Sequence, residues 1–409
     1  MTKSKTTFLR GFGLIFFFIT AQCLHSQSNK DSIQPIESLP EINLVGNGLS
    51  RDVMMLPEIV GTKINAGKKN SLVVLDRVNN VVVNNSMRQI LAKVPGIQIW
   101  ESDGSGIQIG IANRGLSPNR SWEFNIRQNG ADISADPYGY PEAYYNPQMQ
   151  AVQRIQIIRG AGALQYGPQF GGMINYVMKD GSNFQKPLQL EFNQTAGSFG
   201  LLNSFVGVGG KGKKGYYYTF FDQRSADGYR NNSQYQTQTL FASASYLLGR
   251  KTTLTADYMR YNMESQQPGG ITDQQFQGEL GATGSHRSRN WFSTPWNTIN
   301  VKISQEISQS SRLQWLFFGM VATRHSVGNI NSILIPDTIN KQTGMFSERD
   351  LSTDKYKNLG SELSYLKHYR IAGIQQTLST GLRIFNGNTQ RFQKGVGSRG
   401  EGEIGRAHV

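Results

Sequence analysis

Apolar and polar residues alternate with a period of two from Leu188 onward. Such a period is typical of β-strands that have one apolar and one polar face. The clearest run places apolar side chains on one face at Leu240, Ala242, Ala244, Tyr246 and Leu248. Short turns at residues 249–251 and 309–311 alternate with long connections such as residues 263–296. This pattern predicts antiparallel strands with short turns at one end and long loops at the other, as in outer-membrane β-barrels.

A soluble β-sandwich would also show alternating strands. The strands here are long, their aromatic residues fall near strand ends, and the long loops lie on one side. These features favour a barrel. We count about nine strands between residues 187 and 387 from this period.

The first half of the chain mixes short strands with one helix. Residues 154–158 and 173–177 are predicted strands, and five glycines lie between them. Residues 86–94 are a predicted helix with Ser86 at its N-cap. The glycines indicate a loop packed against walls that leave no room for side chains. A phosphate cradle would also use glycine, but the spacing fits neither the dinucleotide fingerprint nor the P-loop.

Residues 154–179 resemble the end of the plug domain of TonB-dependent outer-membrane receptors. The family's Arg-Gly, Tyr-Gly and Gly-Gly-x-Ile-Asn motifs are matched by Arg159-Gly160, Tyr166-Gly167 and residues 171–175. The resemblance implies an α+β plug domain at residues 57–180, followed at residues 187–400 by antiparallel strands of a transmembrane β-barrel. Because plugged transporters use roughly 22 strands, about nine strands make an incomplete barrel.

Two arginines belong to the plug motifs that carry this resemblance. Arg159 ends the predicted strand at residues 154–158, and Arg114 lies in an Arg-Gly-Leu run that matches another plug strand. The resemblance implies that Arg114 and Arg159 hold the plug to the barrel wall through buried ion pairs. Contact with ligand is the alternative role for both.

The N-terminus has the pattern of a secretory signal peptide. Lys3, Lys5 and Arg10 precede an apolar run that is too short to span a membrane, and we expect residues 1–26 to be removed. Cys23 is the single cysteine of the chain, so no intrachain disulfide and no cysteine-rich metal site can form.

Residues 27–56 are predicted to be a flexible periplasmic tail with one apolar island. The island is Glu41, Ile42, Asn43, Leu44 and Val45. A short extended segment can add as a strand to the sheet edge of a partner. In the family, such a segment is the box that binds TonB. An ordinary linker strand is the alternative.

Composition bounds the chemistry of the protein. Lys and Arg number 42 against 28 Asp and Glu, which gives a net charge of +14. We exclude nucleic acid as a partner, because the chain has no basic helix and its aromatic residues lie on alternating strands. The five histidines are scattered, and no nucleophile lies in an elbow motif. We therefore expect no enzyme activity, no resident cofactor and no protein metal site.

Residues 117–147 are rich in proline, asparagine and aromatic residues and are predicted loops. In the resemblance they include the apical plug loops, which form the floor of a ligand pocket. The plug-side candidates for ligand binding are Arg120, Trp122, Tyr138 and Tyr140. Arginine can pair bidentately with carboxylates, and tyrosine offers a hydroxyl on a stiff ring. The alternative is that these aromatic residues only pack the loop.

Several segments resemble the ferric dicitrate branch of the family. They are residues 166–169, 227–232, 267–273 and 288–292. Arg287 and Arg289 are the barrel-side candidates for an anionic Fe(III) chelate, although a loop charge is often only solvated. The implied function is TonB-dependent transport of ferric dicitrate across the outer membrane of a Gram-negative bacterium. The implied partners are TonB with its inner-membrane energising complex, the iron chelate and outer-membrane lipid.

Alternatives to the ferric dicitrate assignment remain open. A receptor of this family for another siderophore would have a similar plug, and a passive barrel or adhesin would not need residues 41–46. Residues 403–409 match in-frame translation of a common sequencing adapter. We therefore expect a truncated reading frame with an artefactual tail.

Overall fold

The computed structural model describes residues 52–396 except for residues 66, 68, 102–103, 107–108 and 138–141. The predicted signal peptide, the island from Glu41 to Val45, and residues 397–409 lie outside the described residues. Tyr138 and Tyr140 lie outside them as well. No helix among the described residues is long and apolar enough to cross a membrane.

Ten short strands are described in the N-terminal domain. They are β1 Val53–Met55, β2 Ile59–Val60, β3 Lys63–Ile64, β4 Ser71–Val74, β5 Ile97–Glu101, β6 Ile109–Asn113, β7 Phe124–Gln128, β8 Ala131–Asp132, β9 Val152–Ile158 and β10 Gly172–Met178. Six of the described strands form one sheet in the order β1-β4-β9-β10-β7-β8, in which the β7–β10 pair is parallel and the other pairs are antiparallel. The other two pairs are β2–β3 and β5–β6. Residues 53–55, which were predicted to lie in the flexible tail, therefore belong to the plug sheet.

Short helices connect these strands. The α-helix is α1, Met87–Ile90, and the 3-10 helices are Leu75–Arg77, Val82–Asn84, Asn119–Ser121, Met149–Ala151 and Gly160–Gln165. Ser86 occupies the N-cap position of α1, as predicted, but its hydroxyl does not cap the helix. It donates instead to Glu101 (Oε2, 3.1 Å), whose other oxygen accepts from the backbone N–H of Arg88 (3.1 Å). The carboxylate of Glu101 thus satisfies a donor that the cap would have taken.

The loop prediction for residues 117–147 was wrong at its centre. Phe124–Gln128 and Ala131–Asp132 form the hairpin β7–β8. Asn129 and Gly130 connect them with φ values of 50° and 88°. Asn-Gly favours such a turn, because both central residues need positive φ.

The glycines between β9 and β10 meet the close walls that their density predicts. A Cβ on Gly171 would collide with the backbone oxygen of Glu123, and one on Gly172 would lie 2.6 Å from the oxygen of Ile158. Gly172 also has φ of 141°, a region that other residues rarely adopt.

The second half of the chain forms one large antiparallel sheet. Its strands are β11 Gln189–Ala196, β12 Leu202–Lys211, β13 Gly215–Ala226, β14 Tyr235–Leu247, β15 Thr252–Gln266, β16 Trp291–Ser293, β17 Trp296–Ser308, β18 Ser311–Gly328, β19 Asp350–Ile371 and β20 Ile374–Val396. Strands β16 and β17 both pair with β15 on one side and β18 on the other. They are two parts of one strand position, which Thr294 and Pro295 interrupt. Counted with β16 and β17 as one strand, the described part of this sheet has nine strands, in agreement with the predicted number of about nine.

The connections alternate in length from one end of the sheet to the other. One end, the short-turn end, has residues 212–214, 248–251, 309–310 and 372–373. The other end, the long-loop end, has residues 197–201, 227–234, 267–290 and 329–349. The long loop at residues 267–290 contains the helix α2, Asp273–Gln277, whose capping box joins Thr272 and Gln275.

Side chains along the large sheet alternate between exposed and buried. In β14, Leu240 is 40% exposed and the next residue, Phe241, is fully buried. The buried face packs against the N-terminal domain, and Phe220, Phe241 and Met259 share one hydrophobic core with Ile126 and Ile155. The predicted apolar face, which includes Leu240, is thus the face turned away from the plug.

Candidate functional site

A buried ion pair joins the plug to the large sheet. Arg127 of β7 is fully buried, and its Nη2 lies 2.9 Å from Oε1 of Glu362 in β19. Its Nη1 donates to the other oxygen of Glu362 at 3.1 Å. The remaining donors go to plug acceptors, with Nε bonded to Asn125 (2.6 Å) and Nη2 to the backbone oxygen of Tyr166 (2.6 Å). Arg127 therefore connects two elements of the plug with one strand of the sheet.

Arg383 of β20 approaches the plug beside the same pair. Its guanidinium donates to the backbone oxygen of Tyr166 (2.7 Å) and to Asp132 of β8 (3.2 Å). Its Nε lies 3.4 Å from Glu362. Asp132 also accepts from Asn125 (2.8 Å). Glu362 and Asp132 are thus each shared between partners from both domains.

Lys63 of β3 adds a further cation to this group. Its Nζ lies 5.5 Å from the ring centre of Tyr166, whose ring also faces Arg127 at 5.2 Å. Burial lowers the pKa of Lys63, the charges of Arg127 and Arg383 lower it further, and Glu362 opposes the change. Lys63, Arg127, Asp132, Glu362 and Arg383 are called the ionic cluster below. Three cations and two carboxylates meet there.

Aromatic contacts hold the plug near the long-loop end. The ring of Tyr144 lies 5.6 Å from that of Phe292 and 6.3 Å from that of Trp296. The guanidinium of Arg324 lies over both Tyr144 (5.4 Å) and Phe292 (5.2 Å). It also pairs with Asp354 at 3.2 Å. Tyr144, in the predicted apical segment, therefore packs against the barrel wall.

The predicted ligand residue Arg287 binds other parts of the loops. It is 4% exposed, and its guanidinium donates to the backbone oxygens of Ile335 (2.7 Å), Asn331 (2.8 Å) and Ser332 (2.8 Å). Its side chain therefore joins the loop at residues 267–290 to the loop at residues 329–349.

Arg289 makes a second connection between these two loops. Its Nε and Nη2 pair with the two oxygens of Asp337 at 2.8 and 2.7 Å, and its guanidinium stacks on Phe346 at 4.2 Å. Arg289 is 2% exposed. A fork that is engaged with a carboxylate in this way is not presented to an external anion.

Arg230 attaches the loop at residues 227–234 to the same structure. It donates to the backbone oxygens of Gly269 (2.6 Å) and Gly284 (2.8 Å). An open pocket of about 470 Å³ lies beside it, and residues such as Asp227, Tyr229 and Ser288 line the pocket. The three loops thus form one body, and three arginines hold it together.

Arg159 makes its hydrogen bonds inside the plug. Its guanidinium donates to the backbone oxygen of Pro95 (2.7 Å) and to the hydroxyl of Ser71 (3.1 Å). Burial lowers its pKa, and the nearby charge of Arg114 lowers it further. Neither Arg114 nor Arg159 forms an ion pair with a carboxylate of the described residues. Their predicted barrel contact stays a prediction, and Arg127 makes the contact that the structure shows.

Arg120 and Trp122 lie on the plug surface. Arg120 has φ of 56° in the turn Asn119–Ser121, and the Ser121 hydroxyl fixes this turn to β6 by a bond to the backbone oxygen of Ile109 (2.7 Å). Trp122 is 47% exposed. Of the predicted ligand-binding residues, the structure brings Arg287 and Arg289 together, because both bind the loop at residues 329–349. Within the described ranges, no group of three or more His, Cys, Asp or Glu residues could hold a metal ion.

A plug domain therefore packs against the buried face of an antiparallel sheet. Residues 72–173 match the family model described as TonB-dependent Receptor Plug Domain. The fold matches the ferric citrate transporter FecA in its unliganded form with a TM-score of 0.67 and 18% identity, over 80% of this chain and 50% of that one. It also matches the ferric-catecholate import receptor Fiu from E. coli K12 with a TM-score of 0.63 and 13% identity, over 81% of this chain and 52% of that one. The fold also matches the copper transporter OprC with a TM-score of 0.61 and 15% identity, over 82% of this chain and 48% of that one.

These comparisons establish the class of fold. The chain has a segment that matches the plug-domain model, and its fold, a plug domain beside a large antiparallel sheet, is that of the matched structures. The proteins with this fold that are named above are a receptor and two transporters, and none is named as an enzyme. The chain spans about half the length of these structures.

Proposed function

We propose that this chain belongs to a TonB-dependent outer-membrane receptor that imports an iron chelate, with ferric dicitrate as the first candidate. The proposal is carried by the match of residues 72–173 to the plug-domain model. It is supported by the similarity of the whole fold to that of a ferric citrate transporter. The ferric dicitrate branch is also supported by the sequence segments that resemble it, in particular residues 166–169 and 267–273.

The chemistry of the cargo supports an anion-binding pocket. Citrate chelates Fe(III) as a polyanionic complex, so its pocket needs guanidinium, amide and hydroxyl donors. The chain has a net charge of +14, and Arg120, Tyr138 and Tyr140 offer such donors on the plug. Arg287 and Arg289 contribute indirectly in this proposal, because they hold the long loops that cover the pocket.

The energy for transport comes from the inner membrane in this proposal. The segment from Glu41 to Val45 adds as a strand to TonB once ligand is bound. TonB and its energising complex then remodel the plug. Strong contacts between the plug and the large sheet, such as the Arg127–Glu362 pair, must be broken or carried along in that step.

The test is uptake of radiolabelled iron in the source organism, with and without the full-length gene. Iron is supplied as ferric citrate, and a ferric catecholate serves as the comparison. We expect loss of citrate-dependent uptake alone. Equal loss for both chelates would indicate a broader siderophore receptor, and unchanged citrate uptake would contradict the ferric dicitrate assignment.

Another metal complex is the alternative cargo. A ferric-catecholate receptor and a copper transporter have the same fold at similar identity, so the fold does not select the cargo. Parallel uptake measurements with copper and with a catecholate chelate distinguish these alternatives.

A further inference from the structure

Arg224 of β13 reaches from the large sheet into the plug at the long-loop end. It is fully buried and lies two positions before the last residue of its strand. Its Nη1 donates to the backbone oxygen of Val83 at 2.9 Å, and its Nη2 donates to the backbone oxygen of Ser105. The guanidinium also lies 5.5 Å from the ring centre of Tyr235. One side chain therefore holds two separate plug segments.

Two asparagines join these segments to a third. The side-chain amides of Asn85 and Asn146 both donate to the backbone oxygen of Gly106, at 3.5 and 3.4 Å. The side-chain oxygen of Asn85 accepts from the backbone N–H of Met149 at 2.9 Å. Residues 83–85, 105–106 and 146–150 are thus one hydrogen-bonded unit, which is called the apical unit below.

A second contact connects the apical unit back to the sheet. Gln150 donates to Asn203 of β12 at 3.0 Å, and Asn203 donates to Asp222 of β13 at 2.6 Å. Asp222 lies on the same strand face as Arg224, and both are buried with Asn203. The contacts close a ring from Arg224 through the plug and back to β13.

From this ring we infer that Arg224 is a positioning residue for the ligand pocket. A buried guanidinium has directional donors, and loss of them leaves the oxygens of Val83 and Ser105 without these partners in a buried place. The apical unit meets β12 and β13 near the ends that lead into the long loops, and the proposed function places the ligand between this unit and those loops. Arg224 therefore acts on ligand affinity through the position of the apical unit. This inference rests on the proposed function, because that function places ligand in this space.

The test uses the full-length receptor in outer-membrane vesicles. Arg224→Met removes the hydrogen-bond donors but keeps much of the length of the side chain. Arg224→Lys keeps the charge, but its single ammonium group cannot reproduce the two directed bonds of the guanidinium. Arg260→Met is the matched control, because Arg260 lies on β15 with its side chain exposed. A spin label at Val81→Cys reports on the apical unit, since Val81 is 57% exposed and directly precedes the helix Val82–Asn84.

We expect Arg224→Met to increase the mobility of the label and to raise the dissociation constant for ferric citrate about tenfold. Arg224→Lys should give a smaller change in the same direction, and Arg260→Met should give none. The uptake rate at saturating ferric citrate should stay within about twofold of the wild-type rate in all three variants, because they leave the proposed TonB-binding segment at residues 41–45 unchanged.

Two results would overturn the inference. Unchanged label mobility in Arg224→Met would show that this side chain does not position the apical unit. Increased mobility with an unchanged dissociation constant would show that the apical unit does not set the pocket. If Arg224→Met does not insert into the membrane, Arg224→Lys supplies the same two measurements. If the wild-type receptor binds no ferric citrate, the proposed cargo fails, and the label still decides whether Arg224 positions the plug.

Discussion

Buried and partly buried arginines make polar contacts between the plug and the large sheet. Arg127, Arg224 and Arg383 each bind backbone oxygens of the plug in addition to any carboxylate. Every residue has a backbone oxygen, so substitutions in the plug do not remove these acceptors. The contacts depend instead on where the plug backbone lies relative to the arginines. The guanidinium fork fits this use, because its five donors have fixed directions.

At the residue scale, we predict that Glu362→Ala weakens the packing of the plug in the barrel by about 3–5 kcal/mol. The substitution leaves buried Arg127 without its carboxylate and removes a partner of Arg383. Urea unfolding of the full-length receptor in detergent measures the loss. Glu306→Ala is the control, since Glu306 is 44% exposed and pairs with Arg312 at 3.9 Å. It should cost about 0–1 kcal/mol. Equal losses in the two variants would contradict the prediction.

Substitution of Lys63 is predicted to raise the stability of the protein, in contrast to the loss expected for Glu362→Ala. Burial and the neighbouring arginines lower its pKa, so the unfolded chain binds this proton more tightly than the folded protein. Stability should therefore rise as the pH increases toward the ordinary lysine pKa of 10.5. Lys63→Met should remove that rise and stabilise the protein at neutral pH. Unfolding midpoints of the variant and the wild type between neutral pH and that value test this, and parallel pH curves would argue against it.

At the element scale, the long loops behave as a single body because side chains from one loop bind the next. We predict that Arg289→Met loosens residues 329–349, since it breaks the bidentate pair with Asp337. Trypsin should then cleave at Lys341 at least several-fold faster in intact cells. Asp273→Asn, an exposed change in the loop at residues 267–290, is the control and should leave the cleavage rate unchanged. Equal cleavage of Arg289→Met and wild type would show that the loops are held by other contacts.

The period of the sequence predicted the strands of the large sheet well. Strands such as β14 alternate between exposed and buried residues along nearly their whole length, so each pair of residues repeats the same signal. The hairpin β7–β8 was missed because it is short and lies among prolines and aromatic residues. Its Asn129-Gly130 turn, flanked by alternating residues, was the signal that could have identified it.

The contacts of the site could not be predicted in the same way. Arg127 and Glu362 are 235 positions apart, and their meeting depends on how the plug is seated in the sheet. The roles of Arg287 and Arg289 also depend on the path of the loop at residues 329–349, which no local pattern fixes. Arg287 and Arg289 were predicted to bind ligand, and the structure places their donors on the protein itself.

At the scale of the whole molecule, the plug is attached to the sheet at three levels. The apical unit binds β12 and β13 at the long-loop end, the ionic cluster binds β19 and β20, and Thr62 bonds to Ser364 (2.6 Å) and Ser379 (2.7 Å) near the short-turn end. Movement of the plug must break contacts at all three levels. Under the proposed function, these contacts would have to be overcome during transport, and the energy for that step would come from TonB.

This requirement leads to a prediction about the N-terminal tail. Deletion of residues 41–46 should abolish energised uptake of ferric citrate while binding to cells stays within about twofold of wild type, because the pocket and the tail lie on different parts of the chain. Replacement of residues 28–33 by glycine and serine is the control, since it alters the same tail outside the apolar island. A passive barrel or adhesin would keep its uptake after the deletion. Loss of uptake together with retained binding would therefore assign the segment from Glu41 to Val45 to TonB and exclude the passive barrel.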